Sequence, residues 1–373
     1  MSISQGLEAA SPIRAAAKIA VRESLGLKKG ETLLIVTNPS RELMEISSAL
    51  YDEAVAVGAS PTLVVQGTKS QTDYAEPAVI AAFESLPDAF ASISAEKLGK
   101  DRAGIRKPYE WDGVKYDHIF HYQLYGARTL RSFWSPGITA AMFADTVPID
   151  YAALRDRCCA VSAAFADAVY ARVTAPAGTD MRVGLRGRAP KSDDGDFSRR
   201  GTGGNLPAGE VFISPELGAS EGTIAFDLSI AAVAGDIVIG EPIRCRVERG
   251  SVTAVEGGKE AALLRAALEA GAESARKLGG EGALAADTAE AYARNARNLG
   301  ELGIGLNPAA RVVGNMLEDE KAFRTCHFAI GSNYDEDAPA LIHLDGLVSR
   351  PTIVAVRPDG SETVVERDGE LVV

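Results

Sequence analysis

Apolar runs and the breaks between them divide the chain into two differently patterned halves. Over residues 10–26, Ile13, Ala17, Ile19, Ala20 and Leu25 fall at roughly helical spacing, which predicts a helix. After the Lys28-Lys29-Gly30 break, residues 31–37 carry an unbroken apolar run at 33–36, as suits a strand covered on both faces. Ser40 is placed to cap a helix running to about Val57, and Gly58 to stop it. Residues 61–65, 88–93 and the segment from His118 to Phe120 read as further strands. Strand–helix–strand order repeated in this way predicts an α/β domain with a mostly parallel sheet. It contains no GxGxxG and no GxxxxGK[ST], so it carries no nucleotide fingerprint.

After about residue 175 the pattern changes. Short β-type runs at 181–185, 222–226, 236–239, 243–247 and 251–255 alternate with glycine, which predicts antiparallel strands. A polar, glycine-rich loop lies at 188–205. Helices are expected over 259–278 and 288–298, then strands over 352–356 and 362–365. The chain therefore divides into an N-terminal α/β domain, 1–175, and a C-terminal α+β domain, 176–373.

Composition narrows the possible partners. Of 373 residues, 39 are Lys or Arg and 51 are Asp or Glu, a formal net charge of −12. Nucleic-acid binding needs clustered cations, so it is not expected. The first thirty residues have no apolar signal core, and the longest apolar run, 224–234, is broken by Asp227 and Ser229 and too short to span a bilayer. The four cysteines form no CxxC, and reduced thiols in a cytoplasmic protein are expected.

Histidine is scarce: only His118, His121, His327 and His343 are present. His343 and Asp345 stand two apart, so on a strand they share a face and can reach one metal. His327 lies in another strand-like run, 325–331, and a hairpin-like return would bring it to the same place. Imidazole and carboxylate together suit Zn, Mn, Co or non-haem Fe. Glu210 opens an apolar strand after a Pro-Ala-Gly turn, and Glu301 stands between glycines and leucines. Each context reads either as an exposed loop glutamate or as a buried carboxylate that needs a partner. His118 and His121 form an HxxH at a strand end and are expected to be structural. Arg199 and Arg200 lie in the polar loop, where they are expected to be solvated; the other use for them is holding a substrate carboxylate. Cys326 should face away from its neighbour His327. No HExxH is present.

These pieces resemble the aminopeptidase T/aminopeptidase S family of metallopeptidases. The resemblance runs through Asn205-x-Pro207-x-Gly209-Glu210-Val211-Phe212 with Glu221-Gly222-Thr223 and Asp227, then Leu299-Gly300-Glu301-x-Gly303-x-Gly305, Thr325-x-His327-x-Ala329-x-Gly331 with Tyr334, and His343-x-Asp345. It implies two divalent ions, Co, Zn or Mn, with Glu210, Glu301, His327, His343 and Asp345 as ligands. It also implies a metal-activated hydroxide acting on peptide N-termini, an active-site role for Tyr334, a bridging role for Glu301, and a homodimer. The interval from His327 to His343 is shorter than in the aminopeptidases. Residues 305–311 are similar to a relative on the same fold, a single-iron dioxygenase that opens 2,5-dihydroxypyridine. That branch is expected to use two His and one Asp on Fe(II), with His in place of Glu301 and no Glu at 210. Three readings therefore stand. The first is a two-metal hydrolase, most simply an aminopeptidase. The second is a dioxygenase or aromatic aminohydrolase, with His327, His343 and Asp345 as the iron ligands in the dioxygenase case. The third is a non-catalytic binding module.

Overall fold

The computed structural model describes residues 11–70, 73–232 and 235–373. The chain divides into two units, one of residues 1–151 and 193–208, the other of 152–192 and 209–373. This differs from a single cut near 175. The strand Tyr170–Thr174 pairs with Asp180–Gly184 and Thr352–Val356, which ties it to the second unit. Gly203–Asn205 instead returns to pair with Arg131–Pro136 in the first. Residue 10 of the expected first helix, part of the N-terminal stretch and the end of the 224–234 run lie outside the described residues.

The first unit is built on a parallel sheet in the order Gly203–Asn205, Arg131–Pro136, Ala89–Ser94, Thr32–Thr37, Ser60–Val65. The helix Arg41–Val57 starts and stops where the pattern predicts. Ser40 accepts a hydrogen bond from the Leu43 N–H, and Gly58 takes a left-handed φ of 88°; such a cap contributes about 1 kcal/mol. The segment after His118 is not a strand. It forms a short helix, Ile119–His121, that continues into a wider turn through Gly126. His118 caps it through Nδ1, which accepts from the Phe120 N–H at 3.0 Å. Ile119, Phe120 and Leu124 are buried against Phe83 and Phe90. Parallel α/β sheets usually take ligands beyond their strands' carboxyl ends. Here Asn38 ties three of those ends together, donating to Gln66 O at 3.0 Å and accepting from the Ala95 N–H at 2.8 Å.

The second unit holds two antiparallel sheets. The eight-stranded one runs Ser251–Glu256, Ile243–Glu248, Glu221–Phe226, Asp180–Gly184, Tyr170–Thr174, Thr352–Val356, Glu362–Arg367, Glu370–Leu371. Ile243–Glu248 alternates strictly between buried and exposed, so one face of this sheet is solvated. The seven-stranded one runs Ile237–Val238, Ser229–Ile230, His343–Ser349, Thr325–Gly331, Leu299–Gly305, Glu210–Ile213, Lys191–Asp193. Leu299–Gly305 and Thr325–Gly331 are buried at every residue. The two sheets meet where the Phe226 ring fills the space a side chain on Gly346 would need, 2.5 Å from its Cβ position. Among the described residues no helix is long and apolar enough to cross a membrane.

Glu366 is fully buried in the eight-stranded sheet, and neither of its carboxylate oxygens has a hydrogen-bond partner among the described residues. Burial, with a smaller push from Glu370, raises its pKa from 4.5 to about 8. The folded protein thus holds a proton that the unfolded chain releases. The associated stability is complete below pH 4.5 and is lost as pH rises towards 8. Glu366→Gln should match the parent near pH 4 and exceed it by a few kcal/mol at pH 9, at about 1.4 kcal/mol per pH unit. Urea unfolding at both pH values checks this, and a gap that does not widen with pH would contradict it.

Candidate metal centre

Four adjacent strands of the seven-stranded sheet build the site: Glu210–Ile213, Leu299–Gly305, Thr325–Gly331 and His343–Ser349. Their antiparallel register decides which side chains converge. Ala329 pairs with Glu301 on one side and Asp345 on the other, and its methyl group leaves room for both carboxylates. Gly303 pairs with His327 and, on its other side, with Phe212. A Cβ on Gly303 would lie 1.9 Å from His327 Nε2, so only glycine lets the imidazole lie over this strand. A Cβ on Gly305, opposite Glu210, would meet the Ala322 carbonyl oxygen at 2.1 Å. The glycines of this motif are thus space kept for a ring and a neighbouring backbone.

All five residues expected as ligands come together. Glu210, Glu301 and His327 form one group, and Glu301, His343 and Asp345 a second; within each, the ligand atoms lie within 4.8 Å of one another. Each oxygen of Glu301 faces one group. Oε1 is 3.2 Å from His327 Nε2, and Oε2 is 3.2 Å from His343 Nε2. His327 Nε2 also lies 3.4 Å from Glu210 Oε2, and His343 Nε2 lies 3.3 Å from Asp345 Oδ1. His343 Nδ1 is 2.8 Å from the Ser332 carbonyl, to which it can donate only if it carries the proton. That bond points Nε2 into the site.

The electrostatics favour a cation. Burial would push the Glu301 carboxyl up, but hydrogen bonds from His327 and His343 outweigh it and hold it below the usual range. Asp345 falls to about 2, because the charge on His343 overcomes the same burial. Burial disfavours a charged His327, yet Glu301, Glu210 and Asp345 raise it to about 9. His343 is raised well above its ordinary value against the same opposition, by Asp345 and then Glu301. Glu210 Oε2 and Asp345 Oδ1 are buried with an imidazole nearby but no well-aligned donor. Three carboxylates and two imidazoles arranged this way fit divalent metal ions.

Tyr334 lies on the 332–342 connection between the two histidine strands. Its ring meets His343 edge-on at 5.2 Å and Phe212 at 5.0 Å. The residue is 53% exposed, yet desolvation of its hydroxyl and the carboxylates of Glu301 and Asp345 hold that hydroxyl well above its usual pKa. It therefore stays protonated across the working range.

Two residues at the site were not foreseen. Lys321 is fully buried, and its Nζ donates to Glu210 Oε1 at 2.6 Å and to Glu320. One oxygen of Glu210 is thus held by an ammonium, and the other faces His327. Burial, reinforced by Glu210 and Asp345 and opposed by Lys321, raises Glu320 to about 8. The only sequence signal was the charged run from Glu318 to Lys321, a pattern that usually marks a solvated face. Here it folds inward. Asp319 accepts from the N–H groups of Val313 and Gly314 at 2.7 and 3.0 Å, and Glu318 from that of Arg311 at 2.9 Å.

The remaining candidates fall outside both groups. His118 and His121 lie in the first unit, where burial lowers His121 to about 4 and His118 hydrogen-bonds the Gly99 carbonyl at 3.1 Å. Arg200 pairs with Asp88. Cys326 is buried, and burial holds its thiol well above its usual pKa. All four cysteines are free.

The family model of 2,5-dihydroxypyridine 5,6-dioxygenase, NicX, matches residues 121–329. The chain belongs to this family. The matched stretch includes Glu210, Glu301 and His327 and ends ahead of Tyr334, His343 and Asp345. No curated protein matches the chain. Among solved structures, 2,5-dihydroxypyridine dioxygenase from Pseudomonas putida superposes with a TM-score of 0.69 at 17% identity, covering 97% of this chain and 98% of that one. Wild-type AmpT from Thermus thermophilus superposes with a TM-score of 0.64 at 20% identity, covering 97% and 99%. At these identities the superpositions establish a shared fold. The aminopeptidase resemblance is correct for the fold, while the family that matches is the dioxygenase's. Family and ligand groups together make the protein a metal-dependent enzyme on the fold common to both.

Proposed function

We propose that the protein is a hydrolase that works with two divalent ions, most simply an aminopeptidase. One ion would be held by Glu210, Glu301 and His327, the other by Glu301, His343 and Asp345. The observation that carries this reading is Glu301, whose two oxygens each face one ligand group. A carboxylate between two cations offsets their repulsion, and a single-iron site has no need of it. Bound ions would lower the pKa of a water molecule and polarise a substrate carbonyl. The chain's own residues then orient the centre and its substrate. The Ser332 carbonyl fixes the His343 tautomer, Lys321 holds one oxygen of Glu210, and the protonated Tyr334 hydroxyl can hydrogen-bond an oxyanion.

Tyr334→Phe should keep its metal and lose kcat by roughly 10²- to 10³-fold with little change in KM. Steady-state kinetics on leucine-p-nitroanilide, with metal content measured alongside, check this. Full kcat in the variant would remove the role given to Tyr334.

The family match supports a second reading, a single-iron ring-cleaving dioxygenase on His327, His343 and Asp345. Oxygen uptake with 2,5-dihydroxypyridine and added Fe(II), compared with release of p-nitroaniline, separates the two. Oxygen uptake without p-nitroaniline release would overturn the hydrolase.

A further inference from the structure

Tyr334 sits on an eleven-residue connection, 332–342, that must hold an aromatic ring over the site while lying partly at the surface. Part of its order is internal. Asn333 donates to Asp337 at 2.6 Å and accepts from the Ala338 N–H at 3.2 Å, and the Ser332 N–H donates to the Ile342 carbonyl at 2.9 Å. None of these bonds restrains residue 334 itself. That restraint comes from residues 188–191 of the same unit, at the edge of the seven-stranded sheet. The Lys191 ammonium donates to the Tyr334 carbonyl and also pairs with Asp335 at 2.7 Å. Arg188 forks between two carboxylates, with one amino group 2.9 Å from Asp335 and the other 2.7 Å from Asp337. The Arg188 side chain is only 12% exposed, so both pairs are shielded from solvent on the guanidinium side. Lys191–Asp193 is also the sheet neighbour of Glu210–Ile213, whose Phe212 supports the Tyr334 ring.

We propose that Arg188 and Lys191 are positioning residues that clamp the 332–342 connection and so set the Tyr334 ring against His343. This deepens the proposed function, in that a catalytic use for Tyr334 rests on that reading; the clamp itself does not. The two cations act on the backbone carbonyl of Tyr334 and on the carboxylates that follow it, while Phe212 and His343 act on the ring. The ring contacts alone leave the connection free to lift, because Tyr334 is half exposed. Fork-shaped guanidinium contacts and an ammonium on a carbonyl give that surface segment a defined geometry.

The test labels the protein with 3-fluorotyrosine and records ¹⁹F spectra, with the Tyr334 resonance assigned by its loss in Tyr334→Phe. In the parent, this resonance should be displaced from that of free 3-fluorotyrosine by the neighbouring Phe212 and His343 rings. In Arg188→Met/Lys191→Met it should move to the free position while bound metal per chain stays at the parent value. Lys191→Arg, which keeps a cation at the carbonyl, should retain the parental shift. An unmoved Tyr334 resonance in the double variant would overturn the clamp. So would loss of the shift in Lys191→Arg equal to that in Lys191→Met. Metal content reports separately on the centre, so failure of the clamp and failure of the two-ion reading give different results.

Discussion

Glu301→Gln should cost the proposed two-ion centre both ions, whereas Glu210→Gln should cost it one. The difference follows from position. Glu301 has an oxygen in each ligand group, and Glu210 belongs only to the group with His327. Metal content should fall from about two ions per chain to below one in Glu301→Gln, and to about one in Glu210→Gln. Hydrolysis of leucine-p-nitroanilide should fall by about three orders of magnitude or more in the first, since no ion is left to polarise the carbonyl. Plasma emission analysis of protein dialysed against trace metal checks the counts. Equal losses in the two variants would contradict a shared Glu301.

Gly303→Ala is expected to have the second-largest effect, although residue 303 has no functional group. Its Cβ would lie 1.9 Å from His327 Nε2 and 2.2 Å from Cε1. The ring must leave the strand surface, and with it the contacts to Glu301 at 3.2 Å and Glu210 at 3.4 Å. Overpacking of this kind costs about 1–3 kcal/mol. The more specific consequence is loss of the ion next to His327, with the His343 ion retained. Gly305→Ala is the control. Its Cβ meets a backbone carbonyl of Ala322 rather than an imidazole, so it should lower Tm without selective loss of one ion. If Gly303→Ala kept both ions at parental stability, the ring could not be lying where the glycine leaves space for it.

Much of this centre is legible in the sequence. Glu210, Glu301, His327, His343 and Asp345 could be nominated because a carboxylate in an apolar strand, or two polar residues at i and i+2, is costly without a partner. The hairpin-like return of 343–349 against 325–331 was also readable, since both runs have strand periodicity and the connection between them is short. What could not be read was the function of the glycines. Gly303 matters because of a ring on the next strand, and only the pairing of Gly303 with His327 reveals it. Lys321 was missed for a related reason. A charged run is normally solvated, and nothing in the residues from Glu318 to Lys321 says that each will turn inward to a named partner. The segment after His118 is a helix rather than the expected strand because a short apolar run suits either, and here His118 Nδ1 accepts a capping bond from the Phe120 N–H. The domain boundary shifted because strand pairing, which groups Tyr170–Thr174 with Thr352–Val356, does not follow composition along the chain.

The central claim is a two-ion centre organised by Glu301, and metal stoichiometry of the natively purified protein, prepared without chelators, tests it most directly. About two divalent ions per chain, reduced to about one by Glu210→Gln, is the expected result. A single ion per chain, identified as iron and retained at the same count in Glu210→Gln, would contradict it.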